Sequence, residues 1–209
     1  MASSHTIERS GRADWTLMTA IHDALRRDLD ELITTTADPA TARARWIVFR
    51  DQLRRHLAAE HAAMWRPARA KLTGDPRGQA LLEAMDDERQ LIGPLRAMAD
   101  DAFTMAARPA RLRPLLARLQ TKLTSHLTHE EADALPLLGQ LMSPAELGAI
   151  TRALRGGTGG GRAAHTIPWA LAHASPAVRT QVLSQLPAPT RLLYRTIWLP
   201  RHTRTAPPL

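Results

Sequence analysis

The 209 residues are enough for one sizeable domain with an appendage, and a hydrophobic content of 44% supplies a core. No apolar run reaches the roughly 18 residues of a membrane span, and the start MASSHTIERSGRADW lacks the apolar centre of a secretory signal, so a cytoplasmic location is expected. The absence of Cys excludes disulfides and thiolate ligands; a metal here is held by His and carboxylates, which suit iron, manganese or zinc better than copper(I). The net charge of +8 lies wholly behind Glu146, the last acidic residue, where eight arginines follow (Arg152, Arg155, Arg162, Arg179, Arg191, Arg195, Arg201 and Arg204).

In chain order, residues 14–36 are predicted to form a first helix, with Trp15, Met18, His22, Leu25, Leu29 and Leu32 on one stripe. Asp38-Pro39 starts a second over about 40–72, where Trp46, Phe49, Leu53, His56, Glu60 and Ala63 share a face; Pro67 should kink or shorten it. Thr73-Gly74-Asp75-Pro76 breaks the chain. A third helix covers about 77–106, with Leu81, Met85, Glu88, Ile92 and Leu95 on one face and Pro94 as a complication within it. A fourth covers about 109–140, with Leu112, Leu116, Leu119, Leu123, His126, Glu130 and Leu137 in register, and Pro136 should bend or end it. No segment alternates with the two-residue period of a strand. The expected fold class is all-α: an antiparallel up-and-down four-helix bundle over residues 1–142.

A basic helical extension is expected over residues 143–209. Ser143-Pro144-Ala145-Glu146 is a capping box with Pro at the first helical position, opening a short helix that ends at Arg155. The glycine-rich residues 156–161 read as a flexible linker; they lack the preceding strand and the spacing of a phosphate-binding loop. Ser175-Pro176 opens another short helix, Pro189 to Pro200 encloses a third, and the chain after Pro200 is expected to be loose. Trp169, Leu171, Leu192 and Trp198 are expected to dock the extension onto the bundle.

The chemistry sits in two echoes, His56-Leu57-Ala58-Ala59-Glu60 and His126-Leu127-Thr128-His129-Glu130. Residues i and i+4 of a helix lie one above the other, so each echo points an imidazole and a carboxylate the same way, on the stripe that faces the core. One such His is ordinarily a core or surface histidine with a hydrogen-bond partner, and one such pair ordinarily a surface ion pair. Repetition argues for more: three helices put His22, His56 and His126 on buried stripes, and two add Glu60 and Glu130. Facing helices that converge in this way are how carboxylate-bridged metal pairs are built. His61, His129 and Glu131 point about 100° away on the wheel and read as outer or surface residues.

The pattern resembles the hemerythrin-like (HHE cation-binding) family over about residues 14–140. The resemblance rests on His22, on His56-x-x-x-Glu60 followed by Met64-Trp65-Arg66-Pro67, on Asp86-Asp87-Glu88-Arg89, and on His126-x-x-x-Glu130-Glu131 followed by Ala134-Leu135-Pro136. The Arg-rich tail, with Pro168-Trp169 and Leu186-Pro187-Ala188-Pro189, is similar to an extension found on some actinobacterial members. The resemblance implies a non-haem di-iron centre, two iron ions with manganese or zinc as alternatives, that meets dioxygen, peroxide or nitric oxide. It also implies a His from the third helix, but Arg89 stands there, and a guanidinium stays protonated and cannot ligate a metal. Two accounts stay open: Glu88 replaces that imidazole, or one ion keeps an open position. Arg89 then either neutralises a nearby carboxylate or binds an anionic substrate. Three functions remain: a di-iron protein reacting with small oxidants, a di-iron oxidase or oxygenase acting on a small-molecule substrate, and a sensing module using the basic tail. Nucleic acid is not the expected partner, because Tyr194 and Trp198 beside Arg191 and Arg195 make only a weak basic-aromatic face.

Overall fold

The computed structural model describes residues 13–157 and 160–205, and among them the ordered elements are all helical. The long helices begin where local chemistry says they should. Asp38 accepts hydrogen bonds from the Ala40 and Thr41 N–H groups and Pro39 takes the first position of α2 (Pro39–Glu60); Asp75 and Pro76 do the same for α4 (Pro76–Thr104). α1 (Thr16–Thr34) lacks a cap from its own N-cap residue, but Asp14 accepts from the Thr16 N–H at 3.0 Å. α3 (Arg66–Lys71) and α5 (Pro109–His129) complete the part of the chain that carries the two echoes. Pro94 sits inside α4 without breaking it.

Neither Pro67 nor Pro136 ends its helix. Each is preceded by a five-residue π turn, His61–Trp65 and Glu130–Ala134, after which the helix resumes as α3 and as α6 (Leu135–Leu141). A proline ring collides with the carbonyl four residues back. Here the turn widens: the Arg66 N–H reaches the His61 carbonyl and the Leu135 N–H the Glu130 carbonyl, each five residues back. A third case, Tyr194–Trp198 ahead of Pro200, joins α10 (Ala188–Leu193) to α11 (Leu199–Thr205).

α1 packs against α2 and α5, and α4 packs against α5. The shared core includes Leu25, Leu29, Leu53, Ile92, Leu116, Leu119 and Leu123, all buried. At one end Trp46 stacks on Phe103 with ring centroids 5.2 Å apart, and its indole N–H donates to Asp100 at 2.9 Å. No helix among the described residues is long and apolar enough to cross a membrane.

The tail lies against the same core. α7 (Pro144–Leu154), opened by the capping box as expected, packs on α2; α8 (Gly160–Leu171) and α9 (Pro176–Ser184) pack on α1. α8 was not anticipated, because two glycines open it and Pro168 lies inside it; Ala163, Thr166, Ile167, Ala170 and Leu171 share one buried face, and Pro168 and Trp169 beside them are buried as well. Trp169 is buried and its indole N–H donates to Asp28 at 2.6 Å. Leu171 and Trp198 are buried as expected, whereas Leu192 is 62% exposed and does not serve the docking assigned to it. The chain after Pro200 is helical to Thr205, not loose. In the glycine stretch, Gly156 and Gly157 adopt φ of 99° and 78°. Their N–H groups bond to the Ala153 and Arg152 carbonyls at 2.9 Å, which is a Schellman cap on α7. Residues 158 and 159 lie outside the described residues.

Candidate metal centre

α1 carries His22, α2 carries His56 and Glu60, α5 carries His126, and Glu130 is the first residue of the π turn that follows α5. All five are buried, four of them completely. Unpaired polar atoms at that depth are costly. The side chains gather into two sets of three, His22–His56–Glu60 and Glu60–His126–Glu130, in each of which one donor atom per residue lies within 4.8 Å of the others. Glu60 belongs to both. His56 Nε2 is 2.6 Å from Glu60 Oε1, and His22 Nε2 is 3.8 Å from both Glu60 Oε1 and Glu130 Oε2. The His22 and His56 rings meet edge to face, with centroids 4.9 Å apart.

These atoms do not satisfy one another. His22 Nε2, His126 Nε2, both nitrogens of His56 and all four oxygens of Glu60 and Glu130 are buried without a hydrogen bond, so the close approach of His56 to Glu60 lacks hydrogen-bond direction. Converging imidazole nitrogens and carboxylate oxygens of this kind fit a divalent cation better than they fit each other.

The outer ring nitrogens are differently served. His22 Nδ1 lies 2.7 Å from Glu131 Oε1, and Glu131 is gripped by Arg26 at 2.9 and 3.1 Å. His126 Nδ1 lies 3.2 Å from Glu88 Oε2, whose partner oxygen is 2.9 Å from His129 Nδ1. A carboxylate on the outer nitrogen holds the proton there and aims Nε2 inward. His56 has no such carboxylate.

The charges are arranged asymmetrically. Burial opposes ionisation of Glu60, but His56 and His22 outweigh it and hold the carboxyl well below its usual range. Burial, reinforced by the nearby Glu60 charge, pushes Glu130 well above its usual range. Burial opposes protonation of His22, yet Glu131, Glu60 and Glu130 push its pKa up to about 9. Burial lowers His126 against the pull of Glu60 and Glu88. In the protein alone, then, the surroundings favour the ionised form of Glu60 and the protonated form of Glu130.

The family model described as the hemerythrin HHE cation binding domain matches residues 14–142, well over half of the chain. The chain belongs to this family. Comparison with curated proteins and with solved structures gives no match to either.

Within the hemerythrin domain the remaining singled-out residues fall as follows. Glu88 stands behind His126 and His129 rather than in either set of three. Arg89 pairs with Asp86 at 2.9 Å; its Nη1 is buried without a hydrogen bond, and its charge favours the ionised form of Glu130. His61 is exposed and His129 half-buried. Glu131, expected to be an outer or surface residue, meets the outer nitrogen of His22.

Proposed function

We propose that the four long helices form an up-and-down bundle around a non-haem di-iron centre that reacts with dioxygen or a related small oxidant, in the cytoplasm. The single observation that carries this reading is the sharing of Glu60 between two buried sets of donors whose inward atoms have no hydrogen bonds. His22 and His56 would hold one ion with Glu60, and His126 and Glu130 the other with the same Glu60. A bound iron pair supplies electron transfer to a small oxidant and an acidic site for it to occupy. The protein's part is to fix the donors: Glu131 and Glu88 orient His22 and His126, and the surrounding Leu53, Leu123 and Leu127 keep out water. Residues 1–142 form the metal-binding unit and residues 143–209 an appendage, although the two share a continuous core.

Metal analysis of the purified protein tests this. The expected content is about two irons per chain, and His56→Ala with His126→Ala should remove both. Full metal content in that double variant would overturn the assignment. A second reading, oxidation of a small metabolite, is favoured by one observation: among the described residues no imidazole from α4 enters either set, so one ion would be short of a nitrogen ligand, as oxygen activation requires.

A further inference from the structure

A cavity of about 440 Å³ lies between α2 and the tail. That is the size of a small-molecule site. α2 contributes Gln52, Arg54, Arg55 and His56; the opposite wall is made by Leu154, the Gly156-Gly157 cap, and Arg162 and Thr166 of α8; Ile21 contributes from α1. Two polar side chains on its walls, Gln52 and Thr166, are buried, and the Thr166 hydroxyl approaches Gln52 Oε1 at 3.4 Å, bridging α2 and α8.

Two independent observations indicate an occupant. The first is charge. Three arginines face the cavity, while Arg54 and Arg55 share a single carboxylate, Asp51, at 2.9 and 2.6 Å. No acidic residue follows Glu146, so the tail brings Arg162 to this wall and no carboxylate with it. The second is His56. His22 and His126 each have a carboxylate at the outer nitrogen, whereas His56 Nδ1 has no partner, and of the three imidazoles only His56 lines this cavity. His56 Nδ1 is itself buried, so an anion seated here lies beside the His56 ring and acts on it through its charge rather than through a hydrogen bond.

We propose that this cavity binds a small organic anion, its carboxylate between Arg55 and Arg162, close to the wall behind which the His56 ring lies, and its apolar body against Ile21, Ala59 and Leu154. The guanidinium groups suit a planar carboxylate, which they grip through paired N–H donors. The size and the apolar floor favour a body of about six to ten heavy atoms over an inorganic ion. The site goes beyond the oxidant chemistry proposed above, and places an organic acid next to one of the metal-binding imidazoles.

The probes are benzoate and its uncharged analogue benzamide, added to the full chain loaded with zinc, which keeps the centre diamagnetic. Calorimetry should show one benzoate site per chain, at least tenfold weaker binding in Arg55→Ala with Arg162→Ala, and no comparable binding of benzamide. The nitrogen resonances of the His56 ring, observed by nuclear magnetic resonance in the unmutated protein, should shift with benzoate and saturate at the calorimetric concentration. Absence of benzoate binding, equal binding of benzamide, or saturation that leaves the His56 ring unmoved overturns the proposal; the last two outcomes describe an adventitious hydrophobic contact or a remote surface site. Zinc content measured on the same sample separates a failure of the metal reading from a failure of the anion site.

Discussion

His22 and His126 are aimed by carboxylates that touch no inward donor. Replacing Glu131 or Glu88 with alanine should therefore weaken metal binding by about 10- to 100-fold without abolishing it, whereas replacing Glu60 removes a donor common to both sets and should empty the centre. Competition titrations with a chelating dye read both effects, and intact affinity in Glu131→Ala would show that the contact is incidental. The same residues set a pH dependence. The pKa of His22 is raised from 6.5 to about 9, so its contribution to the stability of the metal-free protein is complete below about 6.5 and is lost as pH rises through 9. Glu130, also raised, works in the same direction. Thermal denaturation of the metal-free protein should show falling stability over that interval. Metal affinity should move the opposite way, rising about tenfold per pH unit for each proton displaced. At this scale the convergence of the inward residues was legible, because His and Glu at four-residue spacing recur on the apolar stripes of separate helices. The outer contacts were legible in part: Glu131 read as an outer or surface residue and meets the outer nitrogen of His22, whereas Glu88 read as a possible ligand and stands behind His126, because the rotation between helices is not encoded by spacing along one of them.

The helices themselves were readable where capping chemistry and apolar period agree, as at Asp38-Pro39, Asp75-Pro76 and the Ser143 box. Pro67 was expected to kink or shorten its helix and Pro136 to bend or end its own, and the outcome is a widened turn ahead of each, after which the helix resumes. Pro67 and Pro136 belong to continuous helices because the turn ahead of each accepts an extra residue, while Pro94 needs no such turn, so proline alone does not decide the outcome. Two substitutions separate helix formation from packing. Asp75→Ala removes the cap of α4 and should cost about 1 kcal/mol; Leu53→Ala, one turn before His56 and fully buried, should cost about 2–5 kcal/mol. Chemical denaturation measures both. Metal content should survive the first, and a loss of metal there would mean that the start of α4 positions the centre.

For the whole molecule, the division of labour between the metal-binding unit and the tail can be tested by cutting the chain after Arg155. Every proposed metal donor precedes the cut, so the shortened protein should retain iron. It should lose stability, because Ile167, Trp169, Ala170 and Leu171 leave the surface of α1. Iron retained with a lowered melting temperature is the expected outcome; an insoluble or metal-free product would make the tail part of the core rather than an addition to it. The cap at Gly156 and Gly157 bears on the same question from the side of geometry. A side chain at Gly156 would place its Cβ 2.5 Å from the Cβ of Arg162, at a φ of 99° that other residues rarely adopt. These two glycines thus act as an angle bracket where the chain leaves α7. α8 has 12 residues and extends about 18 Å, so an error of about 10° at the bracket carries its far end about 3 Å sideways. That lever arm would pull the Trp169 indole off Asp28 while leaving the proposed metal donors in place. A single added methyl in Gly156→Ala should therefore redden the tryptophan fluorescence and leave the metal count untouched.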